Sequence, residues 1–174
     1  LYEFESEADA YNEIVDRAGQ SVDFVVTGHT HLERAIKIPG ERSRFYYNTG
    51  TGNTFLGSDS GYSNTWAYDN CFLGFQAGSS NNTGTRNTFL GRSAGLSNTT
   101  AEDNTFVGSR AGADNTTGVQ NTFIGYQSGN KNTTGISNTF IGYETGRLNT
   151  TGYFNTYIGY QAGEKNETGI SNTF

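Results

Sequence analysis

Residues 121–137 read NTFIGYQSGNKNTTGIS, residues 138–154 read NTFIGYETGRLNTTGYF, and residues 155–171 read NTYIGYQAGEKNETGIS. One 17-residue phrase is written three times in succession. Upstream the same phrase continues with more drift. Its first residue falls at Asn53, Asn70, Asn87, Asn104, Asn121, Asn138, Asn155 and Asn172, always 17 apart. Seven units are complete and an eighth stops at Phe174. A fixed short period without gaps is the mark of a solenoid.

The unit is too short for helical repeats, which need about 33–47 residues. Most copies carry three glycines, each costing about 1 kcal/mol inside a helix. Thr, Phe, Tyr and Ile favour strands instead. The expectation is all-β: a parallel β-solenoid, or β-roll, of 17-residue coils. Each coil is read as two short strands and two turns, with glycines supplying positive φ at the corners. Coils stacked about 4.8 Å apart would span roughly 34 Å over seven units.

In such a stack every position of the unit becomes a column. The third position holds Phe55, Phe72, Phe89, Phe106, Phe123, Phe140, Tyr157 and Phe174, and is expected to fill the interior. The twelfth holds Asn64, Asn81, Asn98, Asn115, Asn132, Asn149 and Asn166, read as a ladder of stacked amides. Adjacent strand residues face opposite sides. If the Phe column points in, the fourth position points out: Leu56, Leu73, Leu90, Val107, Ile124, Ile141 and Ile158. Phe75, Tyr126, Tyr143 and Tyr160 join it two places on. So continuous an apolar strip is expected to pack against another chain or layer. Self-association, as a homotrimer or filament, is the partner this implies.

These N-T-F-I-G-Y-Q-A-G units resemble the head repeats of trimeric autotransporter adhesins and repeats of tail-fibre-like proteins. The resemblance spans residues 53–174. It implies parallel β-rolls that trimerise side by side, an extracellular or cell-surface location, and a structural fibre or adhesin.

Residues 1–51 differ in kind. Ala8, Tyr11, Ile14, Val15 and Ala18 fall on one face of a helix expected over 7–18. Val22–Thr27, Ala35–Ile38 and Arg44–Tyr47 read as short strands. No Pro- or Ser-rich linker separates this part from the first unit. It is read as a small N-terminal α/β cap, covering an open strand edge of residues 52–174. VVTGHTHLERAI followed by RFYYNTGT resembles the C-terminal end of calcineurin-like metallophosphoesterases. That resemblance implies His29 and His31 as metal ligands. The family's D-x-H, G-D and N-H-D/E motifs do not occur, and these are the only histidines. The pair is read as idle, the chain as a non-enzyme, and no cofactor is implied.

Composition narrows the rest. Hydrophobic residues are 33% of the chain, below the usual globular share of about 45–50% with glycine included. A narrow stacked column can be buried without a wide core. Net charge is −6, which argues against nucleic acid as a partner. No apolar run approaches the roughly 20 residues of a membrane span. The single Cys71 replaces the Thr of the phrase and reads as a packing residue.

Asn-x-Thr at Asn81, Asn98, Asn115, Asn132, Asn149 and Asn166 also matches the glycosylation acceptor motif. Turn and ladder roles are the alternative reading of the same residues. Thr columns at the second and thirteenth positions leave open a surface-binding module for ice or glycans. A phosphoesterase fragment with a repeat tail is the other alternative.

Overall fold

The computed structural model describes residues 33–36, 45–48 and 52–174. Two strands, β1 (Glu33–Ile36) and β2 (Phe45–Asn48), form an antiparallel pair with Glu33 opposite Asn48. They overlap the last two strands expected in the head. The helix expected over 7–18, the strand Val22–Thr27, and His29 and His31 lie outside the described residues.

The repeat folds as a parallel β-solenoid. Seven strands follow one another in a single parallel sheet in chain order: β3 (Thr54–Leu56), β4 (Cys71–Leu73), β5 (Thr88–Leu90), β6 (Thr105–Val107), β7 (Thr122–Ile124), β8 (Thr139–Ile141) and β9 (Thr156–Ile158). Every pair is in register by one whole unit. Phe55 lies opposite Phe72, Phe72 opposite Phe89, and so on to Phe140 opposite Tyr157. Like therefore sits on like, and a slip of one residue would turn every side chain to the other face.

Each coil contributes one three-residue strand, where two strands were expected. The backbone explains the difference. Gly of the fifth and ninth positions takes positive φ, as in Gly108 (133°) and Gly112 (55°). Non-glycine residues of the seventh and seventeenth positions do so too, as in Arg110 (60°) and Gln120 (58°). Four left-handed residues per coil, at the fifth, seventh, ninth and seventeenth positions, bound the three-residue strand on both sides. The non-glycine ones are strained by about 1–2 kcal/mol each. Their amides are nevertheless satisfied by the preceding coil: Arg110 N–H donates to the Arg92 carbonyl at 2.9 Å, and Gln120 N–H to the Glu102 carbonyl at 3.2 Å.

The interior is one residue wide. Six Phe rings and Tyr157 stack with centroids 4.7–4.9 Å apart. All seven are buried. Ala77, Ala94 and Ala111 fill the space beside them from the eighth position. Where that position is Ser60 or Ser128, the hydroxyl donates to the next coil's Phe72 or Phe140 carbonyl, at 3.1 and 3.0 Å. Phe174 departs from its expected place. It stacks on Tyr157 at 5.1 Å but is 62% exposed, because no rung follows it in the described chain.

Candidate functional site

Two amide ladders flank the aromatic column, and they fix what the outer surface can do. The twelfth-position ladder runs Asn81–Asn98–Asn115–Asn132–Asn149. Each Nδ2 donates to the previous Oδ1, at 2.7, 3.0, 2.8 and 2.8 Å. Asn64 and Asn166, expected as members, do not join. Asn64 Oδ1 instead accepts the Ala67 amide at 3.2 Å, and its Nδ2 is buried without a partner. Asn166 Nδ2 donates to the Tyr157 hydroxyl at 2.6 Å, which leaves Asn149 Oδ1 buried and unpaired. Tyr157 stands where the other complete coils have Phe, so a single oxygen draws Asn166 out of the ladder. The Tyr157→Phe variant should return Asn166 to Asn149. A gain of about 1 kcal/mol is expected for the pairing regained, read as slower amide exchange in residues 149–171.

The second ladder is the first-position column, which the sequence marked as the anchor but not as a hydrogen-bonded chain. Asn121 is typical. Its N–H and Nδ2 both donate to Asn104 Oδ1, at 2.9 and 3.2 Å, and Nδ2 also donates to the Gly135 carbonyl at 2.8 Å. The same pattern ties Asn138, Asn155 and Asn172 in turn. These asparagines are chosen for shape. Only a short planar amide can accept from one coil and donate to another in a space this narrow.

The ladders decide the glycosylation motifs. Asn81, Asn98, Asn115, Asn132 and Asn149 are fully buried, and four of the five donate Nδ2 to the coil below. A glycan on any of them has no room in this fold. The motif match is corrected to a structural role, with Asn166 the one half-buried member of the set. The thirteenth-position threonines are likewise spent. Thr99, Thr116 and Thr133 donate their hydroxyls to the next coil's carbonyl at 3.0–3.1 Å.

The apolar strip lies outside. Leu56, Leu73, Ile124 and Ile158 are exposed, whereas Leu90, Val107 and Ile141 are half-buried. Phe75, Tyr126, Tyr143 and Tyr160 continue the surface, at 45%, 42%, 44% and 73% exposure. Each strand thus buries its central Phe and presents its fourth residue outward, as the alternation required. Cys71 is half-buried and unpaired in the outward Thr column.

Charges obey the same vertical logic. Identical charges stacked one coil apart would repel, and the sequence changes sign instead. Arg86 meets Asp103, Lys131 meets Asp114, and Arg147 meets Glu164, each 17 residues apart and each at 2.6 Å. The Arg86 guanidinium, through its hydrogen bond, holds the Asp103 carboxyl below its usual range. The Tyr143 phenol is pushed up, first by the neighbouring Glu144 charge and then by partial burial. Burial likewise raises Tyr157.

Among the described residues no cluster of His, Cys, Asp or Glu could hold a metal ion, and no helix is long and apolar enough to cross a membrane. Comparisons with protein-family models, curated proteins and solved structures return no match.

Proposed function

We propose that residues 52–174 are a structural element: a self-associating β-solenoid of an extracellular fibre or adhesin, whose outer strip is the seam between copies. One observation carries this reading. Every complete coil presents an aliphatic side chain outward at the fourth position, and four of the seven add an aromatic beside it. Coils this thin have no second layer of their own to cover such a surface. A contiguous exposed apolar patch on a soluble domain marks an association site. Behind the strip lie the stacked aromatic rings and the asparagine amides. The phosphoesterase alternative rests on His29 and His31 and has no support from the repeat.

The strip can be broken without touching the core. Leu73→Glu combined with Ile124→Glu places two charges three coils apart at exposed positions of the outer face while the Phe column stays intact. Sedimentation equilibrium should show the wild-type chain as a discrete oligomer or filament. The double variant should sediment as a single chain with an unchanged circular dichroism spectrum. A wild-type chain that stays monomeric at high concentration would overturn the proposal.

A further inference from the structure

Three tyrosines on the outer face form a column of their own. Tyr126, Tyr143 and Tyr160 occupy the sixth position of successive coils. Tyr126 and Tyr143 stack with centroids 5.2 Å apart and planes 19° from parallel, and Tyr143 and Tyr160 stack at 5.3 Å and 8°. All three rings are exposed. Two other exposed tyrosines differ. One coil on from Tyr68 and Tyr153 stand Thr85 and Ile170, so neither has a phenol above it.

The buried ladders hold the spacing of this column. In-register pairing of β7, β8 and β9 fixes the strand beside each ring. The rings are exposed at their outer edges, where the Tyr126 hydroxyl accepts a hydrogen bond from Gln127 Nε2 at 2.9 Å. A phenoxyl radical formed on one of them has its nearest coupling partner already in contact, at a high effective concentration. Tyr143 also has a proton acceptor at hand in Glu144, whose carboxylate takes a hydrogen bond from Gln161 Nε2 at 2.9 Å.

We propose that Tyr126, Tyr143 and Tyr160 are an oxidative cross-linking site, at which hydrogen peroxide and a one-electron oxidant of the peroxidase class join neighbouring phenols into dityrosine and staple adjacent coils. Each of two phenols gives one electron to the oxidant and one proton to solvent or, at Tyr143, to Glu144. The two radicals pair in a carbon–carbon bond between ring positions ortho to the hydroxyls. Each ring then moves its ortho hydrogen to oxygen and regains aromaticity. In sum, two tyrosines and one hydrogen peroxide give one dityrosine and two waters. These rings belong to the proposed seam, so the staple forms between coils of a chain whose strip is not yet covered by another copy.

The test uses an equal mixture of unlabelled and nitrogen-15-labelled chains carrying Cys71→Ser, so that no thiol competes for the oxidant. The mixture is treated with peroxidase and hydrogen peroxide, digested, and mapped by mass spectrometry. Within-chain cross-links carry one isotope and between-chain cross-links carry both. The expected map is dominated by single-isotope Tyr126–Tyr143 and Tyr143–Tyr160 pairs. Tyr143→Phe should reduce within-chain dityrosine to background, because Tyr126 and Tyr160 lie two coils, roughly 10 Å, apart. Tyr153→Phe should leave the yield unchanged. Cross-links spread over Tyr68 and Tyr153 in proportion to exposure would overturn the proposal. So would a map of mostly mixed-isotope pairs, or one without dityrosine. Should Tyr143→Phe fail to fold, the map of the parent chain decides alone.

Discussion

Asn104→Ala should be among the most damaging single substitutions in the molecule. Its Nδ2 donates to Asn87 Oδ1 at 3.2 Å, to the Gly118 carbonyl at 2.9 Å and to the Glu102 carbonyl at 3.1 Å, and its Oδ1 accepts from Asn121 N–H and Nδ2 at 2.9 and 3.2 Å. Alanine removes all five. The Gly118 carbonyl keeps Asn115, and Asn121 Nδ2 keeps the Gly135 carbonyl, but the Asn121 N–H is orphaned. An orphaned buried donor costs about 1–3 kcal/mol and each lost bond about 0.5–1.5, so the sum is about 3–6 kcal/mol. Thr105→Ala, next in the chain and half-buried on the outer side, is the control and should stay within about 1 kcal/mol. Urea unfolding of both variants checks the difference. A solenoid's stability is a sum over neighbouring rungs, so a broken middle rung should also uncouple the two ends. Amide exchange would then show residues 53–86 and 121–171 opening separately. Equal costs for the two variants would remove the ladder from its structural role.

The second large effect is positional. Gly108 and Gly159 occupy the same fifth position of different coils, with φ of 133° and 129°. A Cβ on Gly108 would lie 2.4 Å from the Gly125 carbonyl oxygen of the next coil. A Cβ on Gly159 would meet nothing within 4 Å. Both alanine variants carry the conformational cost of positive φ, about 1–3 kcal/mol. Only Gly108→Ala also forces one backbone off another, which adds about 1–3 kcal/mol because no flexible side chain can yield. Thermal unfolding should therefore rank Gly108→Ala well below Gly159→Ala. Equal losses would mean that the coils are not packed backbone to backbone at this position.

Much of this was legible before any coordinates. A strict period of 17 with one aromatic at a fixed place is enough to stack Phe55 to Tyr157 and turn Leu56 to Ile158 outward. The twelfth-position ladder was legible for the same reason. Three things were not. The strand count failed because the seventh and seventeenth positions carry Asp, Gln, Arg, Ser, Glu or Phe, none of which announces positive φ as glycine does. Their conformation is set by bonds to the coil below, which no local signal records. The first-position asparagines were visible as invariant, but whether an invariant Asn turns, caps or ladders depends on its distance to its own copy. The loss of Asn166 to Tyr157 needed a distance as well, although the Phe-to-Tyr change was in plain sight. The glycosylation motifs show the converse error: a three-residue match carries no knowledge of burial.

The account rests on one advance of a single strand spacing per 17 residues. Pulsed dipolar electron resonance measures it directly. Spin labels on Cys at positions 54 and 156, and at 54 and 105, in a Cys71→Ser background, lie six and three rungs apart on the outward Thr column. With rungs roughly 4.8 Å apart, the expected separations are about 29 Å and about 14 Å. Separations that do not scale with the number of units between the labels, or a broad distribution for the longer pair, would contradict the stacked coil.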